Sequence, residues 1–68
     1  MELSARNQLK GTIVSITLGE VMAEVVMDIG GNQIVSAVTR GSVEGLKLQE
    51  GQSVYAIIKS TEVIIGKD

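Results

Sequence analysis

Residues 21–32 read VMAEVVMDIGGN and decide the fold class. Every second residue from Val21 to Ile29 is apolar, and both acidic side chains of the stretch lie at the positions between them. A period of two is the pattern of a β-strand that turns one face toward a core. Gly and Asn at residues 30–32 supply the positive φ angles of a tight turn. The stretch therefore predicts a strand at Val21–Ile29 and a hairpin into a second strand at Gln33–Val38.

The rest of the chain has the composition of short strands joined by turns. Val and Ile make up 17 of the 68 residues, and the eight Gly lie mostly between apolar runs. Further strands are predicted at Leu9–Leu18, Ser53–Lys59 and Glu62–Ile65. A single helical turn is predicted within Thr39–Leu46, capped by Thr39 or Ser42 and ended by a left-handed Gly45. This order predicts an all-β fold with small α content, an OB-like five-stranded Greek-key barrel with one short helix.

The small size of the chain predicts oligomerisation. A domain of about 60 residues buries only about 60% of the surface that its unfolded chain exposes, so a disulfide, a metal or a partner subunit usually stabilises it. The chain has no Cys and no His, which leaves the partner subunit. Adjacent apolar pairs such as Val25-Val26, Ile57-Ile58 and Ile64-Ile65 place apolar groups on both faces of a strand. We expect the outer face to be buried between subunits; the alternative is scattered surface aliphatic residues.

Composition excludes several classes of function. Without Cys or His, the chain has no zinc finger, no thiol nucleophile and no Ser-His-Asp triad. Its carboxylates are not paired as acid–base catalysis requires, so we expect no enzyme. They also lack the spacing of a calcium loop, so we expect no metal cation. The Gly30-Gly31-Asn32 turn is not followed by the Gly-Lys-Ser/Thr of a phosphate loop, so we expect no nucleotide. A net charge of −2 and one aromatic residue, Tyr55, make a poor single-strand nucleic-acid surface. With neither a signal-like N-terminus nor an apolar run of membrane length, a cytoplasmic protein is expected.

Three polar clusters combine cations with hydroxyl groups. They are residues 4–7, residues 39–42 and residues 59–61. Hydroxyl, guanidinium and ammonium groups all donate hydrogen bonds, so a site built from them suits a small multivalent oxyanion. Each cluster also has a structural explanation: a helix cap for Thr39 and Ser42, a solvated turn at Lys59, and an interface or surface cation at Arg6.

Three stretches together resemble a known family. SARNQLKG at residues 4–11, SVEGLKLQEG at residues 42–51 and IKSTEV at residues 58–63 closely resemble the molbindins. These are small single-domain proteins of the molybdenum-pterin-binding type, also called Mop or TOBE domains. The resemblance implies that residues 1–68 form one such domain. It also implies a hexamer, a trimer of dimers with strands exchanged or shared between subunits, that binds molybdate or tungstate at its subunit interfaces.

The resemblance carries site residues over by motif. Ser4 and Arg6 would come from one subunit, and Thr39, Ser42, Lys59 and Ser60 from its neighbour. Similar domains sense molybdate in longer regulators that carry two units in tandem, so one unit favours intracellular storage or homeostasis of molybdenum. Two alternatives remain: an OB-type nucleic-acid-binding module, and a purely structural oligomerisation domain.

Overall fold

The computed structural model describes residues 1–68. The chain forms four strands, one short α-helix and one 3₁₀ turn. In chain order they are β1 (Asn7–Leu18), β2 (Met22–Ile29), β3 (Asn32–Thr39), α1 (Arg40–Gly45), β4 (Ser53–Ile58) and the 3₁₀ turn (Ser60–Glu62). The strands make one antiparallel sheet in the order β3-β2-β1-β4. The prediction of a mostly β chain with one short helix is confirmed.

The β2–β3 hairpin forms where residues 21–32 predict it. Ile29 pairs with Asn32 across the turn, and the pairing continues to Met22 opposite Thr39. Gly30 and Gly31 hold the turn with φ angles of 58° and 90°. Both values lie in the left-handed region that glycine adopts without a steric cost.

The core lies on one face of the sheet. Its six buried side chains are Ile13, Ala23, Val25, Met27, Val43 and Ala56. Three of them are alternate residues of β2, as the period of two predicts. Val21 departs from the predicted pattern because it precedes β2 in the turn from β1, and it is 72% exposed.

The predicted fifth strand at Glu62–Ile65 does not form in the single chain. The chain instead makes the 3₁₀ turn at residues 60–62 and continues without regular structure, leaving Ile64 and Ile65 92% and 87% exposed. A strand needs a neighbour with free backbone groups, and nothing in the chain pairs with this segment. The prediction of a fifth strand from local composition was wrong for the single chain, which has an open four-stranded sheet.

The helix begins as predicted but ends differently. Thr39 is its N-cap, and the Thr39 side chain accepts a hydrogen bond from the backbone N–H of Ser42. Gly45, however, does not have a positive φ; the left-handed residue is Lys47, at φ 53°. The chain keeps turning after Gly45 because the N–H of Leu46 still donates to the carbonyl of Ser42.

An apolar groove of about 630 Å³ runs between β3 and β4. Fourteen of its 17 lining residues are hydrophobic, and they include Ile34 and Val38 of β3 and Val54 and Ile58 of β4. β3 pairs only with β2, and β4 pairs only with β1. Each of these two strands therefore keeps one edge of backbone groups without a strand partner. Neither helical segment is long and apolar enough to cross a bilayer.

Candidate oxyanion-binding site

Four of the six predicted site residues meet at one corner of the sheet. Asn7 at the start of β1 pairs with Ile58 at the end of β4, so the residues before Asn7 and after Ile58 leave the sheet side by side. There they enclose a shallow depression of about 340 Å³. Its lining is Ser4, Ala5, Arg6, Lys59, Ser60 and Thr61.

The depression is rich in donors and positively charged. Arg6 and Lys59 supply a guanidinium and an ammonium group, and no carboxylate is among the lining residues. The one ion pair of the chain joins Arg40 to Glu44, so neither cation of the depression is neutralised by a carboxylate. Because cations and hydroxyl groups can all donate, this corner suits an anion that accepts many hydrogen bonds.

The other two predicted residues, Thr39 and Ser42, lie at the N-terminus of α1. Their hydroxyl oxygens are 2.7 Å apart, and the Ser42 N–H donates to Thr39 Oγ1 over 3.0 Å. Thr39 closes β3 opposite Met22, and the neighbouring strand β1 ends here at Leu18, which pairs with Ala23. The hydroxyl pair is therefore at the end of β1 opposite to the depression.

One chain does not bring all six residues together. A strand rises about 3.3 Å per residue, and the 12 residues of β1 separate the two groups. Oxygens of a small anion bond to donors at about 2.7–3.2 Å, so one such anion cannot contact both groups of the same chain. The resemblance implies that Lys59 and Ser60 come from the neighbour of the subunit that supplies Ser4 and Arg6. In the structure, all four residues line the depression of the same chain.

Three residues at these places were not among the six predicted site residues. Ala5 and Thr61 line the depression, and both stand inside clusters that the sequence already marks as polar. Arg40 lies beside the hydroxyl pair, but its Nε donates to Glu44 Oε1 over 2.8 Å. The four-residue spacing of Arg40 and Glu44 on a helix is the signal that would have found this pair.

A family model supplies the identification. The TOBE-domain family matches residues 3–65. The chain belongs to this family. Among its curated relatives, Molybdenum-pterin-binding protein 1 of Clostridium pasteurianum is 52% identical over 66 residues, which are 96% of this chain and 97% of that protein. The resemblance to the molbindins drawn from the sequence is confirmed.

Solved structures of molybdate-binding proteins have the same fold. A molybdate-binding protein from Sporomusa ovata superposes with a TM-score of 0.94 at 43% identity, covering 98% of this chain and all of that one. The cytoplasmic molybdate-binding protein ModG, solved with molybdate bound, gives a TM-score of 0.89 at 46% identity over 94% of this chain and 46% of its own. The OB-like fold class is confirmed, apart from the fifth strand.

Proposed function

We propose that this TOBE-family chain binds molybdate or tungstate without changing it chemically. The observation that carries the proposal is the depression, where two cations without carboxylate partners lie beside the hydroxyl groups of Ser4 and Ser60. ModG, of the same fold, has been solved with molybdate bound, which supports the choice of anion.

A tetrahedral dianion needs donors on all sides. Its four oxygens accept hydrogen bonds in four directions, and removing it from water is costly unless those bonds are replaced. The depression is shallow and supplies donors from one side. We propose that Thr39 and Ser42 of a second copy close the other side, which accounts for all six predicted residues although one chain cannot assemble them.

The apolar groove supports the assembly that such a site requires. Leaving a groove of this size with a hydrophobic lining exposed to water is unfavourable, and covering it with apolar side chains of a second copy would stabilise the assembly. Val63 is already extended, with φ −91° and ψ 122°, and Ile64 and Ile65 after it are exposed. We propose that residues 63–65 of a second copy lie between β3 and β4 as the fifth strand. Repetition of this exchange would give the hexamer, a trimer of dimers, that the family resemblance implies.

A protein that binds molybdate without reacting with it is suited to storing or buffering the anion. Several relatives are molybdate-binding or molybdenum-pterin-binding proteins by name, which supports a binding role. We propose that the chain stores or buffers molybdate in the cytoplasm, the compartment in which ModG is described. The nucleic-acid alternative is not favoured, because Tyr55, the one aromatic residue, lines the apolar groove and not the cationic depression.

Calorimetric titration with molybdate tests the site. Charge-assisted hydrogen bonds contribute about 1.5–3 kcal/mol each, so Arg6→Ala or Lys59→Ala is expected to weaken binding by about 10- to 100-fold. Lys10→Ala is the control, since it removes the same charge from an exposed residue that pairs with Tyr55 within the sheet. Wild-type affinity in both site variants would refute the site assignment.

A further inference from the structure

The helix α1 is tied to the turn between β1 and β2 by a single residue. The backbone N–H of Arg40 donates to the carbonyl of Val21 over 2.8 Å. The Arg40 Nη1 donates to the carbonyl of Gly19, which is 21 residues earlier, over 3.3 Å. Its Nε bonds to Glu44 Oε1, four residues later. The Arg40 side chain therefore links the body of α1 to the turn between β1 and β2.

Arg40 is also the immediate neighbour of the hydroxyl pair. Thr39 precedes it, and Ser42, whose hydroxyl is 2.7 Å from that of Thr39, follows two residues later. The Arg40 guanidinium is engaged by Glu44 and Gly19 and makes no hydrogen bond to either hydroxyl. Its Nε is thus held by the Glu44 carboxylate and its Nη1 by the Gly19 carbonyl.

We propose that Arg40 is a positioning residue for the oxyanion site, which holds Ser42 in place beside Thr39 and does not bind the anion itself. This inference rests on the proposed function. A helix of six residues has too few internal hydrogen bonds to fix its own position. Val43 is its only buried side chain. Thr39 is already held in β3 by its pairing with Met22. The side-chain contact of Arg40 with Gly19 therefore acts on the body of α1 and sets where the Ser42 hydroxyl lies beside Thr39.

A competing role for Arg40 is that of a direct cationic ligand, and Glu44 separates the two. Glu44→Ala and Glu44→Gln remove the same negative charge, but only Glu44→Gln keeps an acceptor oxygen for Arg40 Nε. If Arg40 acted through its charge, Glu44→Ala would bind molybdate at least as tightly as Glu44→Gln, because the guanidinium is released more fully. If Arg40 positions the hydroxyl groups, Glu44→Ala loosens the link and binds molybdate more weakly than Glu44→Gln.

The experiment is a calorimetric titration of the full chain with sodium molybdate. Arg40→Ala is expected to weaken molybdate binding about three- to tenfold. This loss is smaller than the loss from removing a hydroxyl donor, because the hydroxyl groups are still present in Arg40→Ala but are less well positioned. Glu44→Ala is expected to bind about twofold more weakly than Glu44→Gln. The double variant Arg40→Ala/Glu44→Ala should bind no more weakly than Arg40→Ala, because the two residues act through one link. Arg40→Lys should restore part of the affinity, because an ammonium group can reach one of the two acceptors.

A second measurement needs no molybdate. Without the link, amide hydrogen exchange at Leu46 and Leu48, whose N–H groups donate to the carbonyls of Ser42 and Val43, should be faster in Arg40→Ala than in the wild type. A wild-type exchange rate in Arg40→Ala, or molybdate binding by Glu44→Ala as tight as by Glu44→Gln, would overturn the positioning role. If the wild-type chain binds no molybdate while exchange still responds to Arg40→Ala, the proposed function fails and the link itself stands.

Discussion

The exposed pair Ile64-Ile65 gives a sharp prediction about assembly. In the isolated chain these side chains are 92% and 87% exposed, so replacing either by Asp should leave the stability of a monomer unchanged. If residues 63–65 of one copy form the fifth strand of another, the same substitution places a carboxylate in or beside the apolar groove.

The size of the effect follows from burial. An Ile side chain taken from nearly full exposure to burial contributes about 1.5–3 kcal/mol, and a carboxylate in its place adds a desolvation cost. A loss of about 3 kcal/mol for each exchanged strand weakens association at least about a hundredfold. We therefore expect Ile64→Asp and Ile65→Asp to dissociate the assembly, with the larger effect from the residue that faces the groove.

The assay is sedimentation velocity over a range of protein concentrations. Lys67→Ala is the matched control, because it changes the charge of the same segment by the same amount and removes no apolar group. The control is expected to sediment as the wild type does. An oligomer of unchanged size in both Asp variants would refute the strand exchange, and a wild-type monomer would refute the assembly itself.

Two further predictions concern the stability of the fold, measured by urea unfolding. Lys47→Gly should raise the free energy of unfolding by about 0.5–1 kcal/mol. Glycine adopts φ 53° without the steric cost that Lys47 carries, although the greater entropy of glycine in the unfolded chain cancels part of this gain. A decrease would contradict the assigned backbone conformation. Gly11→Ala should lower it by roughly 1–3 kcal/mol, since a Cβ there would lie 2.5 Å from the Asp28 carbonyl oxygen and 2.7 Å from Ile29 Cγ1. Gly66→Ala, which meets nothing within 4 Å, should have no such effect, and equal stability of the two variants would count against the β1–β2 packing.

The sequence predicts those parts of the fold that depend on local pattern. The alternation in β2 and the Gly30-Gly31 turn are local signals, and the hairpin forms at the predicted place. The cap at Thr39 is likewise a property of a few neighbouring residues. The segment after Glu62 has the same β-branched composition, but a strand also depends on pairing with a neighbouring edge, and in the single chain this segment reaches neither the free edge of β3 nor that of β4. Composition cannot distinguish a paired strand from an unpaired one.

For the candidate oxyanion-binding site, the sequence predicts the types of residue but not how they are arranged in space. Donor clusters are visible in the sequence because cations stand beside hydroxyl residues. Their placement depends on the strand order β3-β2-β1-β4, which joins the cluster at Arg6 to the cluster at Lys59 and sends Thr39 to the other end of β1. The role of Arg40 depends on a contact across 21 residues, for which the sequence carries no signal.

Native mass spectrometry of the purified chain, alone, with molybdate and with sulfate as the control anion, tests the central claim most directly. We predict a hexamer that gains the mass of several molybdate ions and does not gain sulfate. A monomer, or a hexamer that takes up neither anion, would contradict an oxyanion site assembled between copies of this chain.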